Sequence, residues 1–358
     1  MKDYLELAHA IKSWGKELGF QQIGITDTDL QKHEHHLRNW LLKGFDADMQ
    51  YMSKHGDTRS RPDLLMPGTI RIISARMDYL PDEDKVEETL SSRSKAYIAR
   101  YALGRDYHKV IRARLRALTN RINDYLQDSG IPDFSARVFT DSAPVLEKGA
   151  AEKAGLGWIG KNTLLLNEAA GSWFFLGEIY TNIPLPIDKS EASNRCGSCT
   201  ACMDICPTKA IVAPYQLDSR LCISYHTIEN QGVIPIAIRE RMGNRIFGCD
   251  DCQAVCPWNR YAHPTSEPDF KPRNNFDSAT LLTLFSWSEA EFSKNTEGSA
   301  IRRTGYDGWL RNISIALGNA DYDSEILAAL SDKQGQTSEM VKEHVEWAIK
   351  QQLAKKPA

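Results

Sequence analysis

The chain has 358 residues, 42% of them hydrophobic and 25% charged, with a formal net charge of −3. That length allows two or three domains with sizeable cores, and the composition excludes a disordered or uniformly basic protein. No uninterrupted apolar run of about 18 residues occurs, so a membrane span is not expected, and any nucleic acid must be held by a local patch.

The opening "MKDYLELAHAIKSWGKELGF" carries acids and spaces Leu5, Ala8, Ile11 and Leu18 in a helical rhythm, unlike an export signal, which points to the cytoplasm. "QQIGIT" (21–26) reads as a strand, "LRNWLLKG" (37–44) as a helix and "TIRIISARMDY" (69–79) as a strand. A long Arg- and Leu-rich helix follows over 105–129, and "SARVFTDSAP" (135–144) is a strand entering a turn. "TLLLN" (163–167) and "WFFLGEIYT" (173–181) add strands around the turn "EAAGS". The alternation predicts an α/β or α+β domain over 1–185. Proline-punctuated "NIPLPIDKSEASNR" (182–195) reads as a linker into a cysteine-bearing domain, 186–262, which closes on the Pro-rich connector "CPWNRYAHPTSEPDFKPRNN" (256–275). Over 263–358 the stretches "LTLFSWSEAEFSK", "GWLRNISIALGNA", "SEILAALSD" and "SEMVKEHVEWAIKQQL" predict a small stack of paired helices.

All eight cysteines lie between Cys196 and Cys256, whereas a disulfide scaffold would spread its bridges through the fold. "CGSCTACMDICPTKA" is C-x2-C-x2-C-x3-C-P, the run in which three thiolates hold one 4Fe-4S cube and the fourth reaches a neighbouring cluster. "GCDDCQAVCPWN" supplies Cys249, Cys252 and Cys256, and Cys222 in "RLCISYH" closes two sets of four. Crossed pairing assigns Cys196, Cys199, Cys202 and Cys256 to one cluster, and Cys206, Cys222, Cys249 and Cys252 to the other. Paired structural zinc sites also use C-x2-C, but the triplet followed by C-P is unusual for zinc.

Three further motifs resemble sites without completing them. "AGLGWIGKN" (154–162) fits G-x-G-x-x-G but has a helix before and a strand after, the reverse of a nucleotide site, and reads as a turn whose backbone could approach a large flat ligand. "DYHKVI" (106–111) lacks the glycine of D-x-H-x-x-G, which leaves His108 at a helix start beside the capping residue Asp106. "HEHH" (33–36) lacks metalloprotease spacing and reads as a solvated helix face. In "FTDSAPVLEKGAAEKAG", Asp141 follows an apolar strand and precedes a turn into a helix. Either a cleft position or a helix cap suits it.

Together, "TDSAPVLEK", "AGLGWIGKN", "GSWFFLGE", "CGSCTACMDICPTKA", "CISYHTIE" and "GNRIFGCDDCQAVCPWN" resemble the epoxyqueuosine reductase family, the enzymes that finish queuosine in tRNA, over most of the chain. The resemblance implies an α+β protein: an α/β cobalamin-binding domain similar to reductive dehalogenases and nitroreductases, a two-cluster ferredoxin-like domain, and a C-terminal HEAT-like helical segment. It implies two 4Fe-4S clusters and cobalamin as cofactors, and low-valent cobalt attacking an epoxide whose oxygen leaves as water. It implies tRNA carrying epoxyqueuosine in its anticodon loop as substrate, an external reductase, flavodoxin or ferredoxin as electron donor, and a monomer. By the same resemblance Asp141 is the proton donor, with a pKa that burial would have to raise. Cobalamin contacts carry over to Arg59, Ala99, Lys161, Leu165, Ser224 and Asp250, although by residue type Arg59 and Lys161 read as surface charges, and Ala99 and Leu165 as core. "SAIRRTGYDGWLRN" (299–312) offers Arg302, Arg303 and Arg311 with Tyr306 and Trp309, suited to phosphates and stacked bases, or else a helix start with two buried aromatics. Two other functions compete: a corrinoid-dependent reductive dehalogenase, which would not need that arginine cluster, and a ferredoxin-type electron carrier, which would leave Asp141 without a task.

Overall fold

The computed structural model describes residues 4–81, 86–131, 133–189 and 194–357. Its N-terminal part is built on four strands, β1 (Gln22–Thr26), β2 (Arg71–Asp78), β3 (Ala136–Phe139) and β4 (Phe174–Thr181), ordered β1-β2-β4-β3 and antiparallel throughout. Every residue of β4 is buried, as expected of a central strand covered on both faces. Of the two readings offered by the alternating pattern, an antiparallel sheet with helices against it is α+β.

Of the helices α1 (Tyr4–Glu17), α2 (Gln31–Leu42), α3 (Tyr107–Asp128) and α4 (Glu147–Lys153), α1, α3 and α4 pack on this sheet and α2 lies against α4. α3 buries Ile111, Leu115, Leu118, Ile122 and Leu126, one stripe at helical spacing, against the core that also holds Ile73, Phe175 and Ile179. Asp106 caps α3, its Oδ1 accepting from the backbone N–H of His108. The HEHH stretch differs from expectation at one residue. His33 is buried against Gly149 of α4, where a Cβ would meet its ring at 2.7 Å, and only His35 and His36 are exposed.

The proline-rich segment is not a loose tether. Residues 190–193 lie outside the described chain, but Ile183 and Leu185 are buried, and Asp188 accepts from the backbone N–H of Ile25 and pairs with Lys12. Beyond it, the cysteine region leads through α5 (Ile223–Ile228) and β5 (Arg245–Phe247) to three C-terminal helices, α6 (Gly305–Asn319), α7 (Ser324–Lys333) and α8 (Glu339–Ala354). These helices share their core with residues well upstream. Ala96, Ile98, Ala102 and Leu103 pack with Trp309 and Ile313, and the short strand Tyr97–Ile98 pairs in parallel with β5. Residues 96–103 thus tie the sheet to the C-terminal helices directly over the cysteine region. Among the described residues no helix is long and apolar enough to cross a membrane.

Candidate active site

Asp141 follows β3 at φ 46°, a left-handed conformation that aims its side chain away from the strand line. It does not cap α4, whose first turn is preceded by Leu146. Its Oδ2 accepts from Tyr107 Oη at 2.8 Å and lies 3.0 Å from His108 Nε2, while His108 Nδ1 lies 2.7 Å from Asp106 Oδ1. The Tyr107 ring is fixed by stacking on Phe175, centroids 4.0 Å apart and planes within 4°. These groups open on a cavity of about 590 Å³ whose far wall is Glu229, Phe247, Arg302 and Arg303.

Asp141 is exposed at the cleft, its side chain 43% accessible, and its partners set its electrostatics. Burial by itself would raise the Asp141 carboxyl, but hydrogen bonds from His108 and Tyr107, with the charges of His108 and Arg303, hold it below the ordinary range. Burial would likewise lower His108, but its bonds to Asp106 and Asp141 raise it to about 9. The proton at neutral pH therefore sits on the imidazole, one hydrogen bond from the carboxylate. Behind them Glu147 Oε2 accepts from the Asp141 backbone N–H at 3.2 Å, and burial, then the Asp141 charge, push Glu147 up to about 7. Deeper still, burial followed by the Glu147 charge raises Glu178 on β4, whose two oxygens make no hydrogen bond of normal geometry. Sequence reasoning passed over Tyr107, Glu147 and Glu178. The available signals were the tyrosine beside His108 and a glutamate six residues after Asp141.

The thiols fall into two groups, and none is in a disulfide. Cys196, Cys199, Cys202 and Cys256 together line one cavity of about 220 Å³. Burial first, and then the neighbouring Cys222 and Cys206, raise Cys252; burial and then Cys206 raise Cys222, and Cys249 feels Cys222 in turn. Among the described residues no three His, Cys, Asp or Glu side chains form a group able to hold a single ion. Thiols spread around a cavity suit a cube with metal at several corners better than one tetrahedral zinc.

The other predicted residues are distributed unevenly. Arg59 is buried near Asp141 and Glu147; its Nη2 donates to the carbonyl of Tyr51 at 2.8 Å, and its Nε has no partner. Ser224 is half-buried on α5, two residues from Cys222. Asp250 is buried and accepts from Tyr97 Oη at 2.7 Å and the Arg100 backbone N–H at 2.8 Å, which holds the 96–103 segment to the cysteine loop. Lys161 donates to the carbonyls of Gly197 and Cys199 at 2.7 and 2.9 Å, at the first thiol set. Ala99 and Leu165 are core. The glycine turn closes on its own hairpin, since a Cβ on Gly157 would lie 2.0 Å from the Leu166 carbonyl.

In the C-terminal patch Arg302 and Arg303 are exposed at the cleft, with Arg303 paired to Glu229 at 2.8 Å. Arg311 corrects the expectation: it is buried, and its guanidinium donates to the carbonyls of Asn230, Gly232 and His226, so no phosphate reaches it. Trp309 is buried and stacks on Trp287, and half-buried Tyr306 donates to the Trp287 carbonyl, so neither ring is free to stack on a base.

Residues 59–142 match the family model "Epoxyqueuosine reductase QueG, DUF1730", and residues 195–259 match "4Fe-4S double cluster binding domain". The chain is 56% identical to the epoxyqueuosine reductase of Pseudomonas aeruginosa, over 97% of this chain and 95% of that one. The chain belongs to the epoxyqueuosine reductase family. Its relative in Escherichia coli K12 is 53% identical over 99% of this chain and 92% of that protein. Among solved structures, a Bacillus subtilis epoxyqueuosine reductase with its catalytic aspartate loop swung out of the active site superposes at TM-score 0.84, with 28% identity, covering 98% of this chain and 91% of that one. An epoxyqueuosine reductase bound to an epoxyqueuosine-modified tRNA-Tyr stem loop superposes at 0.83, with 26% identity, covering 98% and 100%. Family membership sets aside the dehalogenase and carrier readings.

Proposed function

We propose that the chain reduces epoxyqueuosine to queuosine at the wobble position of tRNA, with the Asp141–His108 couple delivering the proton to the departing oxygen. The observation that carries this reading is the hydrogen-bonded chain Asp106–His108–Asp141 ending in an open cleft beside the thiol region. Removing the epoxide oxygen as water consumes two electrons and two protons, so a proton store and an electron store must meet at one place.

Two 4Fe-4S clusters would suit the two thiol sets: the first lines one cavity, and in the second Cys222 and Cys206 are neighbours of Cys252, and Cys222 of Cys249. Cobalamin also fits this chain's residues. Arg59 offers a buried, unpartnered Nε near Asp141, which an amide- and phosphate-bearing ligand would satisfy. Arg59 and Ser224 would hold the cofactor, while Asp250 and Lys161 act on it indirectly by fixing the segments around it. Bound there, cobalamin supplies the strong two-electron reductant and the clusters supply its electrons one at a time.

The protein's own part is protonic. Tyr107 and His108 orient Asp141 Oδ2 toward the cleft, and the imidazolium proton stands one hydrogen bond behind it. Glu147 accepts from the Asp141 backbone N–H and so fixes the loop that carries the carboxylate. Asp141→Asn should retain iron and corrinoid binding, both read from visible spectra, and lose turnover by about 100-fold or more, since positioned acid–base groups contribute roughly that much. Wild-type conversion of epoxyqueuosine tRNA by the variant, measured by mass spectrometry of the nucleosides, would remove the role.

A further inference from the structure

The clearest unassigned surface is a groove of about 590 Å³ between α3 and β3, lined by Arg112, Arg116 and Arg137 with Asn120 and Ser142. No carboxylate lines it among the described residues. That is unusual for α3, where the arginines on other faces are neutralised: Arg114 pairs with Glu267 at 2.8 Å and Arg121 with Glu17 at 2.6 Å. Arg112 spends one hydrogen bond on Ser142 Oγ at 2.6 Å, and Arg137 lies over the Phe139 ring with a long bond to the Leu65 carbonyl. Arg116 and Arg137 are exposed. Three guanidinium groups are thus gathered without counter-charge, in a protein whose overall charge is negative.

The groove adjoins the cleft. α3 lines both, the cleft with Tyr107 and His108 and the groove with Arg112 and Arg116, and the loop after β3 does the same with Asp141 and Ser142. About 12 Å of helix rise separates His108 from Arg116, so a chain leaving the cleft reaches the groove within a few nucleotides. Planar forks without acidic partners are suited to phosphate oxygens. Arg303, by contrast, is already paired and Arg311 is buried.

We propose that the groove of Arg112, Arg116 and Arg137 binds the sugar-phosphate backbone of the RNA whose modified base enters the Asp141 cleft. This rests on the tRNA reading above and places most of the electrostatic grip on α3 rather than on the C-terminal helices.

The test uses the full-length, iron-loaded protein and an anticodon stem-loop RNA carrying epoxyqueuosine, with binding measured over a range of salt. Arg112→Ala with Arg116→Ala should weaken binding about tenfold or more at moderate salt. It should also lower the slope of log K against log salt by about 0.7 to 0.9 for each phosphate that is no longer neutralised. KM for the stem-loop should rise while the rate at saturating RNA stays within about twofold. Arg114→Ala, on the same helix but outside the groove, should leave the slope unchanged. Should the double variant lose helix content or iron, the exposed pair Arg116→Gln and Arg137→Gln carries the same test. A folded variant with wild-type affinity and slope overturns the proposal. If the wild-type protein leaves the RNA unreduced yet binds it through these arginines, the reductase reading fails and the groove stands.

Discussion

His108 meets a carboxylate at each ring nitrogen, Asp106 at 2.7 Å and Asp141 at 3.0 Å, which is why its imidazole titrates near 9 despite burial. The other charges around it are Glu147, pushed up to about 7, and, lining the cleft, Lys109, Glu229, Arg302 and Arg303. A folded pKa above the ordinary value of about 6.5 means that this pairing stabilises the fold fully below about 6.5 and stops doing so as pH rises through about 9. The same titration removes the stored proton. We therefore expect kcat/KM to fall along an alkaline limb near pH 9, and His108→Gln to abolish that limb while lowering the plateau. An unchanged limb in the variant would assign it to another group. A cleft position was one of two places that the sequence context of Asp141 allowed, the other being a helix cap, and the structure puts it at the cleft. Its partnership with His108 was not legible. The two residues are 33 positions apart, and only the packing of α3 beside β3 and β4 brings them together, so the sequence offered for His108 nothing beyond a place at a helix start. The two donors that hold the Asp141 carboxyl below its ordinary range were equally invisible in the sequence, because they too come from the distant α3.

Among the elements, those with strong periodicity were readable and those set by long-range contacts were not. The stripe Ile111, Leu115, Leu118, Ile122 and Leu126 gives α3 directly, and the apolar run from Phe174 to Thr181 gives β4. The antiparallel order of the sheet and the packing of 96–103 under the C-terminal helices have no local signal, because they depend on which surfaces meet. The cysteine region is the opposite case. Metal spacing constrains sequence so tightly that even isolated Cys222 could be given a set, by being the one thiol left to complete a group of four. It sits at the N-terminal end of α5, and burial with the nearby Cys206 raises its thiol. Cys222→Ser should remove iron from its own set and leave that of Cys196, Cys199, Cys202 and Cys256 loaded. Iron and sulfide analysis with electron paramagnetic resonance reads this directly, and an undiminished iron count in the variant would exclude Cys222 as a ligand.

Across the whole molecule, the cleft exists because three parts of the chain are fastened around the cysteine region. Asn162 donates to the Cys252 carbonyl at 3.2 Å from the sheet side, and Asp250 grips Tyr97 and Arg100. Arg311 fastens α6 to α5 and the segment after it through the carbonyls of His226, Asn230 and Gly232, at 2.7 to 2.8 Å. Burial lowers the Arg311 guanidinium only to about 10, so it carries its charge at neutral pH, and carbonyl dipoles rather than an acid compensate it. Removing it strands three buried acceptors and leaves a cavity. Arg311→Ala should accordingly cost about 3 kcal/mol or more, a figure set by the penalty for unsatisfied buried groups. Thermal or urea unfolding measures that loss, and the salt slope of RNA binding in the folded variant separates the two roles. A phosphate-binding arginine would lower the slope with little change in stability, whereas a tie between α6 and α5 lowers stability and leaves the slope where it was, because the guanidinium never faced the RNA.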